Sequence, residues 1–276
     1  MNGGRSEKAF GYAILVVGAL LALYPFLSIV MLALTPAGQR PNGLSVPGSI
    51  TFQNFVEAWT RGGFGQALWS SLIVAVAVVV GASLVSVLAG YAFSTMRFPG
   101  RGVLLGILLI GLVMPYEGII VPLYYLLEGM GLLNTYWALI LPQIATSVSL
   151  GVLWMRTSYS NVPRTLAEAA GIDGASRWSI LWRVYVPISL PAIATLGTLL
   201  FLYTWNEFLM ALVLVPQNPD VQTAPLALSF FAGSTRNFDP AVTAAAAVTV
   251  AVPILIVYVI FQRRFITGIV AGAVKE

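Results

Sequence analysis

Two carboxylates lie inside long apolar runs of this 276-residue chain and are the first candidates for chemistry. Glu117 is the only charged residue in 102–127, and Glu207 is the only one in 184–219. An ionised acid at the centre of a bilayer costs at least about 2.5 to 3.5 kcal/mol on insertion scales, so it usually faces a cavity or a partner. Either acid could therefore contact a polar solute or carry a proton.

Glu207 also belongs to a spaced set of side chains. Tyr203, Asn206, Glu207 and Met210 occupy positions i, i+3, i+4 and i+7, which share one face of a continuous helix. That face would combine aromatic surface with hydrogen-bonding groups, as a sugar site requires. The same polar side chains could instead stabilise packing against a second membrane subunit, so both roles stay open.

Glu117 lies between Pro115 and Gly118, in a segment where a helix could break. A break at this point would free backbone groups beside a cavity, which would place Glu117 on a translocation path. A position near the outer membrane surface would leave the carboxylate solvated instead. The sequence agrees with both positions.

The chain contains no cysteine and no histidine. These absences exclude disulfides, a thiolate nucleophile, a Cys/His zinc site and a Ser-His-Asp triad. The sequence also lacks the GxxxxGKS/T phosphate-binding loop, so the chain has no recognisable means of binding ATP. We therefore expect a transport subunit that is not an enzyme and binds no metal or cofactor, since a membrane enzyme would depend on carboxylates alone.

The elements that position these residues are membrane helices. Hydrophobic residues make up 58% of the chain and charged residues only 9%, whereas soluble domains carry about 25% charged residues. A helix needs about 20 apolar residues to cross a bilayer, and six stretches meet that need. They cover residues 9–34, 68–96, 103–127, 136–155, 188–214 and 241–262. The sequence predicts an all-α integral membrane protein with six transmembrane helices in a single domain, residues 1–276.

Basic residues predict the orientation of these helices. With the N-terminus in the cytoplasm, eleven of the 14 Lys and Arg residues fall in cytoplasmic segments, and only Arg40, Arg61 and Arg236 fall outside. This is the distribution that the positive-inside rule favours. Both ends, including a tail over residues 263–276, are therefore predicted to be cytoplasmic. The net charge of +4 reflects this topology rather than nucleic-acid binding.

One cytoplasmic loop, residues 156–187, carries an ordered pattern between the fourth and fifth helices. It reads Glu168-Ala169-Ala170, three residues, Gly174, nine residues, and Val184-Tyr185-Val186-Pro187. The small alanines would let another surface approach closely, so the loop could be bound by a partner protein. Short amphipathic helices also occur in cytoplasmic loops without any docking role.

The local sequence predicts a short helix within this loop. Asn161 is a candidate N-cap, with Pro163 in the first turn, and the helix should run to about Gly171. Gly174 can adopt a positive φ and turn the chain back. The expected result is a rigid, projecting knob.

This loop resembles the EAA loop of importer-type ABC transporter permeases. The family pattern is EAA, three residues, Gly, nine residues, Ile, one residue and Leu-Pro. Val184 and Val186 stand where the pattern has Ile and Leu, and the other motif positions match.

Further segments are similar to the carbohydrate-importer, maltose-type subfamily and extend the resemblance over most of the chain. They are Tyr91-Ala92-Phe93, Arg97-Phe98-Pro99-Gly100, Pro122-Leu123-Tyr124, Gly131-Leu132-Leu133-Asn134-Thr135, Trp205-Asn206-Glu207-Phe208-Leu209 and the tail Gln262 to Lys275. The resemblance implies a type I importer permease fold and a sugar as the solute.

The resemblance also implies a division of labour among subunits. This chain would pair with a homologous second permease subunit, two cytoplasmic ATPase subunits that bind ATP and Mg, and an extracytoplasmic solute-binding protein. The location implied is a bacterial or archaeal cytoplasmic membrane. In such heterodimers the partner permease could carry most of the solute contacts.

The resemblance implies that the EAA motif couples this chain to the ATPase. Glu168, with Ala169, Ala170 and Gly174, would dock in a cleft of the ATPase, where Glu168 would face a basic residue. Arg164 and Asp173 flank the motif and could make supporting contacts or remain solvated charges.

Two other transport hypotheses remain. An ion-coupled secondary transporter would use Glu117 or Glu207 as a proton site and would give the EAA spacing no role. An importer of glycerol-phosphate-type solutes would favour basic residues in the path, and the predicted spans contain no Lys or Arg. A neutral mono-, di- or oligosaccharide therefore fits better, with amino sugars left open.

Overall fold

Helices form all the regular elements that the structure describes. A computed structural model describes residues 5–36, 39, 48–233 and 239–273, and these residues contain no strand. In chain order the helices are α1 (Arg5–Ala33), α2 (Gln53–Gly62), α3 (Phe64–Thr95), α4 (Arg101–Val113), α5 (Tyr116–Gly129), α6 (Tyr136–Ser160), α7 (Arg164–Ile172), α8 (Arg177–Ile180), α9 (Val186–Ile188), α10 (Leu190–Trp205), α11 (Leu209–Leu214), α12 (Ala224–Gly233) and α13 (Pro240–Ala273). A π-helical turn, Leu181–Tyr185, joins α8 to α9.

Among the described residues, four helices are long and apolar enough to cross a membrane. They are Phe10–Ala33 within α1, all of α3, all of α6, and Pro240–Gln262 within α13. Two bent pairs also qualify: α4 with α5, bent by 100°, and Arg177–Ile188 with α10, bent by 76°. Counting each bent pair as one span gives six, in agreement with the predicted all-α membrane fold. The third span breaks in the segment where the sequence allowed a break, whereas the prediction of one continuous fifth helix is wrong.

The third span breaks at Met114 and Pro115. Met114 has φ −63° and ψ 125°, and Pro115 has φ −67° and ψ 114°. The proline ring disfavours helical geometry in the residue before it, so α4 ends and α5 starts in a new direction. The sequence marks this break through Pro115.

The fifth span breaks twice. Ser189, with φ −94° and ψ 9°, separates α9 from α10, and Pro191 lies in the first turn of α10, where a missing N–H is tolerated. Residues 206–208 then separate α10 from α11. The predicted span 188–214 is therefore a series of helices rather than one.

The chain divides into two compact units. Unit 1 is bounded by Met1–Gly65 and Ala227–Val252, and unit 2 by Gln66–Leu226 and Pro253–Glu276. In unit 1, Nδ2 of Asn54 donates to the carbonyl oxygens of Ala33 and Thr35, both at 2.8 Å. These two bonds hold α2 against the end of α1.

Unit 2 contains two apolar cores. One surrounds Leu139, and the other, the tyrosine core, surrounds Tyr159 and Leu181. Gly90 lets α3 approach α6 closely, because a Cβ at this position would lie 2.6 Å from the Cβ of Met155. Small residues commonly allow such close helix packing in membranes, and here the packing supports the tyrosine core.

Candidate functional site

α7 lies in the middle of the predicted coupling loop and begins directly after Pro163. Pro163 has φ −57° and ψ 124° and is the N-cap of the helix, without a side-chain capping bond. Asn161 is instead the C-cap of α6, with φ −86° and ψ −10°. The prediction that Asn161 caps α7 is wrong, because Pro163 itself leaves the helical region and delays the start of the helix.

The end of α7 is completed by backbone groups. Gly174 has φ 80°, the left-handed conformation that glycine adopts without strain. Its N–H donates to the carbonyl of Gly171 at 3.0 Å, and the N–H of Ala175 donates to the carbonyl of Ala170 at 2.9 Å. This pair of bonds is a Schellman motif. The predicted positive φ at Gly174 is confirmed, and the helix ends at Ile172, one residue beyond the predicted end.

Most of the predicted coupling residues reach solvent. Those exposed are Arg164, Glu168, Ala169, Asp173 and Gly174. Ala170 is half-buried and packs with Ala167 against the tyrosine core. The alanines of the motif therefore differ, since Ala169 faces outward while Ala170 supports the helix. Glu168 makes no salt bridge within the part of the chain that the structure describes, so its carboxylate is open to a partner.

Large apolar side chains extend this exposed surface and were missed by the sequence reasoning. Leu166, Ile172 and Trp178 are exposed, and Ile172 is 88% exposed. Apolar groups left in water near a charged helix are typical of surfaces that bind another protein. The available signal was the presence of Leu, Ile and Trp among the charged, polar and small residues of 164–178.

Three tyrosines anchor the loop to the membrane helices. The ring centroids of Tyr91, Tyr159 and Tyr185 lie 5.1 to 6.3 Å apart in edge-to-face pairs, and each such pair contributes about 0.5 to 1.5 kcal/mol beyond burial. The hydroxyl of Tyr91 donates to the carbonyl of Arg177 at 3.2 Å. These contacts join α3, α6 and the segment after α7.

The segment that leads from α7 back towards α10 also has a defined geometry. The Ser176 hydroxyl accepts a bond from the N–H of Ser179 at 3.2 Å and caps α8. The π-helical turn follows at once, and such turns are often found at functional sites. Together with the tyrosine contacts, this cap makes the loop a supported element rather than a loose one.

A second region, the central cavity, has a volume of about 840 Å³ and is formed within unit 2. This volume lies within the range of about 300 to 1,000 Å³ typical of ligand pockets. Tyr203, Asn206, Glu207 and Met210 all line it. Met210 is 2% exposed and belongs to the core around Leu139, so only the other three offer polar groups to a solute.

These four residues are brought together by the end of a helix. α10 stops at Trp205, and Nδ2 of Asn206 donates to the carbonyl of Leu202 at 2.8 Å. A carboxylate oxygen of Glu207 accepts a bond from the N–H of Met210 at 2.8 Å and thereby caps α11. The prediction of one continuous helical face is wrong, although the side chains line the same cavity.

Glu117 does not line the central cavity. It is exposed in the first turn of α5, and its neighbour Tyr116 lines the cavity instead. The sequence reasoning also missed other polar lining groups, namely Gln143, Thr146, Ser147 and Ser149 from α6 and Thr204 from α10. Single polar residues in apolar runs were the available signal, but their convergence depends on how α4, α5, α6 and α10 pack.

Few of the side chains that line the central cavity are charged. Glu207 is the only charged side chain among the described residues that line it. Over the described residues, no three His, Cys, Asp or Glu side chains lie together in a way that could hold a metal ion. The cavity can therefore offer hydrogen bonds, aromatic surface and one carboxylate.

A helical membrane fold with broken spans, a cavity with several polar side chains in its lining and an exposed helix held by the tyrosine core fits a membrane transport subunit. Residues 82–269 match the family described as "Binding-protein-dependent transport system inner membrane component", and the chain belongs to this family. The assignment confirms the resemblance to importer permeases and identifies the chain as a multi-pass membrane component.

Two characterised relatives are similar along nearly the whole chain. The trehalose transport system permease protein SugB of Mycobacterium tuberculosis is 33% identical over 262 residues, which cover 95% of this chain and 94% of that protein. The diacetylchitobiose uptake system permease protein NgcG of Streptomyces coelicolor is 31% identical over 277 residues, covering 100% of this chain and 90% of that protein.

A solved structure shares the fold. A chain of a bacterial ABC transporter involved in the import of the acidic polysaccharide alginate superposes with a TM-score of 0.82 at 23% identity. The match covers 96% of this chain and 99% of that chain. This similarity confirms the predicted importer-permease fold.

Proposed function

We propose that this chain forms half of the membrane path of an ATP-driven ABC importer for neutral sugars. The observation that carries the proposal is the lining of the central cavity, where Tyr203, Asn206 and Glu207 meet without a Lys or Arg among the described lining residues. The two relatives are named for the transport of trehalose and the uptake of diacetylchitobiose, and both of these solutes are sugars.

The chemistry of the lining suits a saccharide. Asn206, Glu207 and Gln143 provide donors and acceptors for sugar hydroxyls, and the exposed Tyr203 provides an aromatic surface for the apolar face of a sugar ring. A phosphate-bearing solute would be repelled by Glu207 and would find no guanidinium group among the described lining residues to bind it. Neutral sugars therefore fit better than glycerol-phosphate-type solutes.

The energy of ATP hydrolysis would be transmitted to this chain through α7. The chain has no phosphate-binding loop of its own, so ATP and Mg would bind to two partner ATPase subunits, and this chain would need no cofactor. Glu168, exposed beside Ala169 on α7, would contact a basic residue of the ATPase. Because α7 is supported by the tyrosine core, a movement of the ATPase would reach α3 and α6.

The family assignment supports the remaining parts of the proposed assembly. A homologous second permease subunit would complete the path, and an extracytoplasmic solute-binding protein would deliver the sugar. Both termini of this chain would face the cytoplasm of a bacterial or archaeal cell.

The proposal is tested by purifying the chain from native membranes, identifying the proteins that co-purify, and measuring ATP hydrolysis with candidate sugars. The expected result is recovery of a nucleotide-binding subunit, a second permease and a solute-binding protein, with hydrolysis that rises on adding a sugar. Trehalose, diacetylchitobiose and maltose form the panel, and glycerol 3-phosphate is the charged control. Recovery of the chain alone, with sugar uptake driven by an ion gradient, would overturn the proposal in favour of an ion-coupled transporter.

A further inference from the structure

A second cavity, here called the basic cavity, lies beside α7 and has a volume of about 420 Å³. Its lining includes Arg97 and Arg101 from the region where α3 leads into α4, together with Arg164 and Glu168 from α7. Three guanidinium groups thus share one cavity with a single carboxylate. Clusters of this kind favour an anion over a cation.

The position of one guanidinium group is further defined by the backbone. Nη1 of Arg101 donates to the carbonyl of Met96 at 3.4 Å, which holds the group next to the chain between α3 and α4. No salt bridge joins Glu168 to any of the three arginines among the described residues. One carboxylate against three guanidinium groups leaves the lining with a net positive charge.

A buried hydroxyl provides an independent sign of a missing ligand. Tyr159 lines the basic cavity, its side chain is 1% exposed, and its hydroxyl has no hydrogen-bond partner among the described residues. Buried polar groups are normally paired, so each exception calls for an explanation. An acceptor that enters the basic cavity would supply the partner that Tyr159 lacks.

Three neighbouring hydroxyls, those of Ser94, Thr95 and Ser160, do not compete for this role. Ser94 and Thr95 both donate to the carbonyl of Tyr91, at 3.1 and 2.8 Å, and Ser160 donates to the carbonyl of Arg156 at 2.8 Å. Their protons are already engaged in the helices. The Tyr159 proton is free, and it can be donated to an anion.

We propose that the basic cavity binds a phosphate-type anion through the guanidinium groups of Arg97, Arg101 and Arg164 and the hydroxyl of Tyr159. The ligand chemistry is a phosphate oxyanion, supplied either by the headgroup of an anionic phospholipid or by free phosphate. The proposal concerns binding beside α7 and does not depend on which solute crosses the membrane.

The test uses the purified complex that contains this chain, in detergent. Sodium phosphate is titrated against sodium chloride of equal ionic strength while thermal unfolding is followed, because a ligand that binds the native state raises the melting temperature. In parallel, the complex is exchanged into phosphatidylcholine alone or into phosphatidylcholine and phosphatidylglycerol at 4:1, and the bound phosphatidylglycerol is counted by native mass spectrometry.

We expect a concentration-dependent rise in melting temperature with phosphate, or retained phosphatidylglycerol, or both. A response to phosphate identifies free phosphate as a ligand, and retention of phosphatidylglycerol without that response identifies the lipid headgroup. The double variant R97Q/R101Q should weaken binding by at least about tenfold, since charge-assisted hydrogen bonds are the strong ones. Arg183→Gln removes an exposed arginine of the same loop that does not line the basic cavity, and it should bind as the unaltered chain does.

Two conservative variants keep the test valid if the double variant fails to fold. Tyr159→Phe removes an unpaired hydroxyl, so the ligand-free complex should be as stable or more stable, while phosphate-type binding weakens about tenfold. Glu168→Gln removes the one opposing charge in the lining and should strengthen binding about threefold. These opposite effects would not arise from a general loss of structure.

Two outcomes would overturn the proposal. One is the absence of both a phosphate effect beyond chloride and retained phosphatidylglycerol. The other is that R97Q/R101Q lowers recovery of a co-purifying ATPase while binding of phosphate and phosphatidylglycerol is equal in both complexes, which would make the basic cavity a protein contact. Both outcomes leave sugar-dependent ATP hydrolysis by the unaltered complex as it was, so failure here is distinct from failure of the proposed import function.

Discussion

A helix ends in the coupling loop and another ends beside the central cavity, but different groups form the hydrogen bonds at the two helix ends. α7 ends with backbone hydrogen bonds around Gly174, so the side chain of Glu168 takes no part in ending the helix. α10 and α11 meet at Asn206 and Glu207, whose side chains bond to the backbone. A change in the loop should therefore alter contact with a partner, whereas a change in the cavity alters recognition and local shape together.

The two regions also differ in what surrounds their side chains. α7 rests on the tyrosine core, and Ala170 packs inward against it. Around Asn206 the polar side chains line a cavity of about 840 Å³, where a solute can reach them. We expect the loop to move as one body with its partner and the cavity to adapt to its solute.

The largest effect is expected for Glu168→Lys. Reversing the charge of an exposed docking residue should reduce association with the ATPase and lower sugar uptake by at least about tenfold, because like charges across an interface are repulsive. Membrane insertion should be unchanged, since Glu168 is exposed and makes no salt bridge within the described residues. ATPase recovery and uptake are the measurements.

The control for this charge reversal is Glu128→Lys, at an exposed position of α5. This variant should retain ATPase recovery and uptake. Normal docking and uptake in the Glu168 variant would remove α7 from the coupling role.

A smaller effect is expected from substitutions at two glycines of α7 and its cap. Gly174→Ala places a side chain at φ 80° and should lower stability by about 1 to 2 kcal/mol. Gly171→Ala lies within the helix, where an added Cβ meets no atom within 4 Å, and should raise helix stability by up to about 1 kcal/mol. Thermal unfolding of the purified complex compares the two, and equal melting temperatures would show that the Schellman motif does not stabilise α7.

The cavity is tested by Asn206→Leu. This change removes an amide that bonds to Leu202 and faces the central cavity, so the KM for sugar uptake should rise by about threefold to tenfold, the range expected for one lost hydrogen bond. ATPase association should stay normal. Unchanged uptake kinetics would indicate that these side chains serve helix packing instead.

The smallest effect is expected from Glu207→Gln, which keeps an oxygen to accept the Met210 N–H but cannot carry a proton. ATP-driven uptake should change by less than about threefold, since the cap of α11 is preserved. Uptake measured with and without a proton gradient makes the comparison. Loss of transport together with loss of gradient dependence would restore the ion-coupled hypothesis.

The sequence predicted features that depend on local chemistry. Six apolar stretches correspond to the six spans obtained when bent pairs are counted as one, and the position of Gly174 predicted its positive φ because few other residues adopt it without strain. Pro115 likewise marked the point where the third span bends. Each of these predictions needed only neighbouring residues.

Features that depend on packing could not be predicted in the same way. The end of α10 at Trp205 is marked by no proline or glycine, since neither occurs in residues 198–215. The meeting of Gln143 with Asn206 and the grouping of Tyr159 with Tyr91 each join residues distant in sequence. Periodicity identifies a polar face but not which helices surround it.

The most direct test of the division between these two regions measures sugar uptake and ATP hydrolysis together in proteoliposomes that contain the complete transporter. The account predicts that Glu168→Lys loses sugar-stimulated hydrolysis and uptake together, at any sugar concentration. Asn206→Leu should keep hydrolysis coupled to uptake and shift only its dependence on sugar concentration. If Glu168→Lys instead transports normally, or if both variants shift the sugar dependence alone, the assignment of coupling to α7 is contradicted.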